Sequence, residues 1–151
     1  MSLELAMLMA SCALCQIQIV IASHAASRQR GYRWTASARD SKVPPLTGIA
    51  SRLERALRNF LETFPVFVAA VLLVTVLGHN GALSRWGAVL YFSARLVYAS
   101  LYAAGVPAIR SLAWNVAFVG IVLLLISYGP LTADQPPCGF RGRIERRARS
   151  R

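Results

Sequence analysis

Two sets of side chains in this sequence could bind and activate an anion, and the first lies on one helical face. Arg55, Asn59 and Glu62 recur at positions i, i+4 and i+7, and Arg52 and Arg58 flank the same stripe. Arginine forks bind carboxylates through paired hydrogen bonds, while an asparagine amide can both donate and accept. Three arginines near one carboxylate leave positive charge unmatched, which favours an anionic ligand. The alternative is a structural network in which Arg58 pairs with Glu62.

The second set begins in a later apolar run. Arg95, Tyr98 and Tyr102 share a face at i, i+3 and i+7, and Arg110 and Ser111 open the helix that follows. Tyrosines near the ends of membrane spans are ordinarily interfacial, but a shared stripe with an arginine favours a ligand-facing wall. A guanidinium at a helix N-terminus is suited to lowering the pKa of a thiol. The alternative for this arginine is a cation that extends to the membrane surface.

The elements that must position these side chains are apolar helices of membrane length. The chain has 151 residues, of which 56% are hydrophobic and 15% charged, well below the roughly 25% charged of soluble domains. A span needs about 20 mostly apolar residues. We therefore predict an all-α fold, an integral membrane four-helix bundle within a single domain at 1–131, and a basic, disordered tail at 132–151. The predicted spans are about 3–26, 60–77, 83–104 and 109–128.

The connections between the spans have features of their own. The polar stretch Arg28–Arg58 becomes helical in pattern from Gly48, so the second helix is expected to begin in water. Short links after the second and third spans make consecutive helices antiparallel neighbours. A cleaved signal peptide is the alternative for the first run, but Glu4 and the absence of Lys or Arg before it favour an uncleaved span.

Charge and cysteine content exclude several classes. The formal net charge is +11, but the basic residues lie at span edges or in the tail, where they meet anionic lipid and set topology. No basic and aromatic surface is interleaved on a soluble element, so we expect no nucleic-acid binding. Three cysteines do not make a disulfide framework, and the pair Cys12 and Cys15 lies inside an apolar helix, which favours packing over redox chemistry. No metal site is predicted.

Two runs of this sequence resemble a known family. They are RLERALRNFLETFP at 52–65 and ARLVYASLYAAGVPAIR at 94–110. Both resemble the signature of the MAPEG family, the membrane-associated proteins in eicosanoid and glutathione metabolism, and the resemblance covers about Ser51 to Trp114. It implies four-helix subunits that assemble as homotrimers in membrane lipid and hold glutathione, as a co-substrate, between neighbouring subunits.

The resemblance also implies roles for individual residues. Arg110 would stabilise the glutathione thiolate, with Ser111 beside it, and Arg28 or Arg30 could supply a further arginine from the first helix. The remaining glutathione ligands implied are Arg52, Arg55, Asn59, Glu62, Tyr98 and Tyr102. Thr63 and Trp114 stand where different branches of the family have tyrosine, so the lipid substrate is less defined than glutathione.

The expected function is a glutathione-dependent transferase or peroxidase. Its second substrate would be a lipophilic electrophile or hydroperoxide that enters from the bilayer. The protein would be multi-pass, in the inner membrane if its source is bacterial. One alternative is a non-catalytic lipid-binding member of the family. Another is a small proton-coupled exporter, which the arginines beside Glu62 disfavour.

Overall fold

The chain folds into helices joined by short links and one longer loop. The computed structural model describes residues 1–38, 40–105 and 107–128, except for the side chains of 107 and 108. Within them are the helices α1 (Leu3–Arg30), α2 (Tyr32–Thr35), α3 (Gly48–Val76), α4 (Ala82–Ala104) and α5 (Pro107–Ser127). The all-α prediction is confirmed for these residues, and α2 is an addition to it. The predicted tail at 132–151 lies outside the described residues.

Three of these helices are long and apolar enough to cross a membrane. They are α1, α3 and the Ile109–Ser127 part of α5. With 23 residues α4 has the length of a span, but two arginines and three tyrosines interrupt its apolar sequence, so it is not among the three. A fourth crossing by α4 therefore stays a prediction.

The helix ends follow local chemistry. The Ser2 hydroxyl accepts a hydrogen bond from the Leu5 amide at 3.3 Å and caps α1. The helix continues four residues beyond the predicted end of its span because nothing breaks it before Gly31, whose φ is 89°. As expected, α3 begins at Gly48, ahead of its apolar part. Gly105 ends α4 in the left-handed conformation, with φ 82°, and its amide donates to the Leu101 carbonyl at 2.9 Å.

Helices α4 and α5 approach each other closely at a pair of buried glycines. A Cβ on Gly120 would lie 2.7 Å from the Gly87 carbonyl oxygen and 2.8 Å from the Tyr91 amide nitrogen. Small residues allow such backbone contact between membrane helices. The Tyr91 ring stacks on Phe67 of α3, with centroids 3.9 Å apart. This packing joins α3, α4 and α5 in the N-terminal half of α4.

A buried carboxylate attaches α1 to the start of α4. Glu4 is completely buried, and its Oε1 accepts a hydrogen bond from the Ser84 hydroxyl at 2.5 Å. Ser84 Oγ also accepts from the Gly81 amide at 2.9 Å. The second oxygen of Glu4 has no partner among the described residues. Ser84 therefore donates the short hydrogen bond to this carboxylate, and Ser2 and Asn80 interact with it more weakly.

We expect Ser84→Ala to lower the free energy of unfolding by about 1–3 kcal/mol, since it leaves a buried acceptor without its donor. Thermal unfolding in detergent measures the loss. The matched control is Ser100→Ala, because that hydroxyl is exposed and bonds only the Leu96 carbonyl of its own helix, at 3.1 Å. Equal melting temperatures for the two variants would contradict the role assigned to Ser84.

Candidate functional site

A cavity of about 250 Å³ opens between α3, α4 and α5, at the end of α4 that precedes Gly105. It is lined by one residue of α3, two of α4 and four of α5: Asn59, Tyr98, Tyr102, Arg110, Ser111, Trp114 and Asn115. Five of these are among the eight residues that the sequence predicts for the site. The structure therefore brings these five predicted residues together, although the first and the last of them, Asn59 and Ser111, are 52 positions apart in the sequence.

The turn at Gly105 places the start of α5 against the last turns of α4. The guanidinium carbon of Arg110 lies 4.6 Å from the centroid of the Tyr102 ring, a cation–π contact. Tyr98 lies one turn before Tyr102, with ring centroids 5.5 Å apart, and both tyrosines are buried. A positive charge and two phenol groups thus share one wall of the cavity.

Two further predicted residues lie at the rim of this wall. Arg55 is exposed, and its Nε donates to the Tyr102 hydroxyl at 3.1 Å while Nη1 donates to the Ser51 hydroxyl at 2.6 Å. Arg52 is partly buried, and its Nη1 donates to the Ala103 carbonyl at 3.4 Å. The rim therefore carries two guanidinium groups, one of which is bound to a tyrosine of the cavity.

Glu62 lies apart from the cavity in the single chain. It is exposed, and together with Arg58 it lines a different groove on the outer side of α3. No ion pair joins these two side chains within the described part of the chain. Three residues advance a helix by about 300°, so Glu62 lies about 60° around the helix from Asn59. That rotation turns the carboxylate outward while the amide faces α4 and α5.

The sequence around this cavity identifies the family of the chain. Its sequence matches the MAPEG family over residues 7–129, a range that includes every residue lining the cavity. The chain belongs to the MAPEG family. A comparison with curated proteins gives no match. Family membership and the three apolar helices indicate a membrane protein related to glutathione or eicosanoid metabolism.

This MAPEG chain buries an arginine directly behind the cavity. Arg95 is 1% exposed, its Nη1 donates to Asn59 Oδ1 at 2.8 Å, and its Nη2 donates to the Thr63 hydroxyl. Three aromatic rings, those of Phe60, Tyr91 and Tyr98, have centroids 5.5–5.9 Å from its guanidinium carbon. No carboxylate of the described residues is within 4.0 Å of it. An arginine is always charged, so a positive charge without a contacting carboxylate among the described residues lies next to the cavity, and Glu62 acts on it only from a longer distance.

Arg95 was predicted to lie on the tyrosine stripe but was not among the predicted site residues. The signal was available, since a lone arginine in an apolar run normally faces protein and marks a functional region. Trp114 had been placed one turn after Arg110, but neither Trp114 nor Asn115 was among the predicted site residues. Trp114 stacks on Phe118, and the Asn115 side chain donates to the Ser111 carbonyl at 2.9 Å. Their spacing from Arg110 and Ser111, one turn along α5, was the available signal.

Proposed function

We propose that this MAPEG chain is a membrane-embedded glutathione-dependent enzyme, a transferase or a peroxidase. The observation that supports this proposal most directly is the cavity that Asn59 shares with Tyr98, Tyr102, Arg110 and Ser111. Its guanidinium and hydroxyl groups offer hydrogen-bond donors together with one fixed positive charge. Glutathione offers the matching acceptors, since it carries two carboxylates, two peptide carbonyls and a thiol that can ionise.

The positive charge of Arg110 supports a role in ionising the glutathione thiol. A cation within about 4–6 Å favours the charged form of an acid by about one to three pKa units. The Tyr102 ring holds this guanidinium at the cavity wall. The thiolate would then attack an electrophilic carbon to form a thioether. Alternatively it would attack a hydroperoxide oxygen, which breaks the O–O bond, releases the alcohol and leaves a glutathione sulfenic acid. A second glutathione would then react with this sulfenic acid to form the disulfide and water.

The proposal includes a homotrimer, which rests on resemblance to the family. Arg55 and Glu62 are exposed in the single chain, on the surface of α3. A neighbouring subunit packed over α3 would enclose both side chains and complete the glutathione site. The lipophilic second substrate would enter sideways from the bilayer, and α4 would be the fourth span of a multi-pass protein. Its membrane would be the inner membrane if the source is bacterial.

Glutathione is expected to protect the folded protein against heat. A ligand that binds only the folded state stabilises it by about 2.7 kcal/mol at one hundred times its dissociation constant. The measurement is thermal unfolding of the detergent-purified protein with millimolar glutathione. The dipeptide Cys-Gly, which lacks the γ-glutamyl carboxylate and amino group, serves as the control and should give a much smaller shift.

An unchanged melting temperature in a preparation shown to be folded would contradict glutathione binding. Conjugation and peroxidase substrates then separate the candidate activities. Thioether formation identifies a transferase, and formation of glutathione disulfide together with an alcohol identifies a peroxidase. A glutathione shift without turnover of any substrate would count against an enzyme and in favour of the non-catalytic family member.

A further inference from the structure

The contact between Arg95 and Asn59 fixes which atom of the amide faces which way. A guanidinium has hydrogen-bond donors and no acceptor, so only the oxygen of the Asn59 amide can meet it. The observed contact, Nη1 to Oδ1 at 2.8 Å, agrees with this requirement. The orientation of the amide therefore follows from chemistry, and the reverse orientation would place two donors against each other.

Asn59 lines the cavity, whereas Arg95 does not. With its oxygen directed at Arg95, the amide has its nitrogen left for the cavity. That nitrogen has no hydrogen-bond partner among the described residues. Sequence reasoning allowed Asn59 to donate or to accept. Its contact in the structure occupies one lone pair of the oxygen and turns the amide nitrogen, a donor, towards the cavity.

Arg95 is held too firmly to release the amide. Its second terminal nitrogen donates to the Thr63 hydroxyl, and the side chain is 1% exposed between the rings of Phe60, Tyr91 and Tyr98. Thr63 lies one turn after Asn59 on α3, so the guanidinium spans two successive turns of that helix. A charge enclosed in this way is shielded from bulk solvent that could replace the amide oxygen.

We propose that Arg95 is a positioning residue that makes Asn59 an obligate hydrogen-bond donor to the ligand. The ligand then places a carboxylate or peptide carbonyl oxygen against Asn59, and its ammonium group lies elsewhere. The identity of the ligand as glutathione rests on the proposed function, whereas the orientation of the amide rests on the Arg95 contact alone. The charge of Arg95, which no carboxylate of the described residues contacts, favours a negatively charged group at the same place.

Asn59→Asp tests the inference because it keeps the shape and the acceptor but removes the donor. Aspartate would pair with the buried Arg95, so the melting temperature without glutathione is expected to rise, by about 3 °C or more. The affinity for glutathione is expected to fall at least about tenfold, since two oxygens replace an oxygen and a donor. A variant that is more stable and yet binds less tightly cannot be explained by damage to the fold.

Asn115→Asp is the matched control for stability. It makes the same change of charge at the same cavity, but its amide is exposed and bonds the Ser111 carbonyl instead of Arg95. Its melting temperature should therefore not rise. A rise of equal size in both variants would show that added negative charge stabilises this region generally, and would overturn the role assigned to Arg95.

Two substitutions of Arg95 give an independent test. Arg95→Lys keeps a donor for the Asn59 oxygen, and we expect it to hold glutathione within about threefold of the wild-type affinity. Arg95→Gln presents both a donor and an acceptor, so the Asn59 amide can reverse, and we expect a loss of about tenfold. Equal affinities for the two variants, measured at temperatures where both are folded, would contradict the inference.

The outcomes separate this inference from the proposed function. If the wild-type protein binds no glutathione, the proposed function and the ligand assignment fail, while the stability of Asn59→Asp still decides the amide orientation. If Asn59→Asp binds glutathione as tightly as the wild type does, the inference fails and the proposed function stands. An unchanged melting temperature for Asn59→Asp also overturns the inference.

Discussion

Arg110→Ala is expected to lower the rate of glutathione-dependent turnover by about two to three orders of magnitude, as removal of one group that stabilises developing negative charge usually does. A free thiol has a pKa of about 8.5, so only a few per cent of it is ionised at neutral pH. The guanidinium beside Tyr102 is the charge in the cavity that would raise this fraction. Glutathione affinity should change by less than about fivefold, because the other predicted ligands remain.

The thiolate absorbs in the ultraviolet, and a difference spectrum with and without glutathione measures it directly. Arg110→Lys keeps the charge but loses the planar contact with Tyr102, so it should retain part of the signal. Arg85→Ala removes an exposed arginine from the opposite end of α4 and should keep all of it. A full thiolate spectrum in Arg110→Ala would assign thiol ionisation to another group.

Gly120→Val is expected to cause the largest loss of stability, about 3 kcal/mol or more. Any Cβ at this position lies 2.7 Å from the Gly87 carbonyl oxygen and 2.8 Å from the Tyr91 amide nitrogen. Both atoms belong to the backbone of α4, so the clash cannot be relieved by a change of rotamer. The two helices must separate, which also disturbs the stacking of Tyr91 on Phe67.

Unfolding by heat or by denaturing detergent measures the loss. Gly81→Ala is the control, since a Cβ there meets no atom within 4 Å and its φ of −149° is open to any residue. It should cost less than about 1 kcal/mol. If Gly120→Val and Gly81→Ala unfold together, the close approach of α4 and α5 does not contribute to the stability of the fold.

The long helices could be predicted from the sequence because their signals are local. Apolar runs of membrane length, the helical pattern from Gly48 and the glycine that follows α4 each depend on neighbouring residues. The short helix α2 was missed, since four residues of mixed polarity carry no periodic signal. The polar residues of α4, Arg95 among them, can also be read from the sequence. Which residues Arg95 binds could not be predicted, because its partners Asn59 and Thr63 lie on α3.

The site could be predicted only in part because it depends on the rotation of helices about their axes. Spacing on α3 places Arg55, Asn59 and Glu62 on one broad stripe, but which edge of the stripe meets α4 is decided by packing. In the structure the edge with Asn59 meets Arg95, and Glu62 is exposed. The Glu4 contact with Ser84 is similarly non-local, since 80 positions separate the two residues.

The length of α3 determines which concentration governs the binding of each of the two proposed substrates. Its 29 residues extend about 43 Å, whereas the apolar part from Phe60 to Val76 extends about 26 Å, close to the hydrocarbon thickness of about 30 Å. Arg52 and Arg55 lie on the earlier part, which we expect to be on the aqueous side of the hydrocarbon. The occupancy of the glutathione site would therefore depend on the molar concentration of glutathione in water. The lipophilic partner would follow its mole fraction in the membrane, so diluting the protein into more lipid would slow the second substrate and leave the first unchanged.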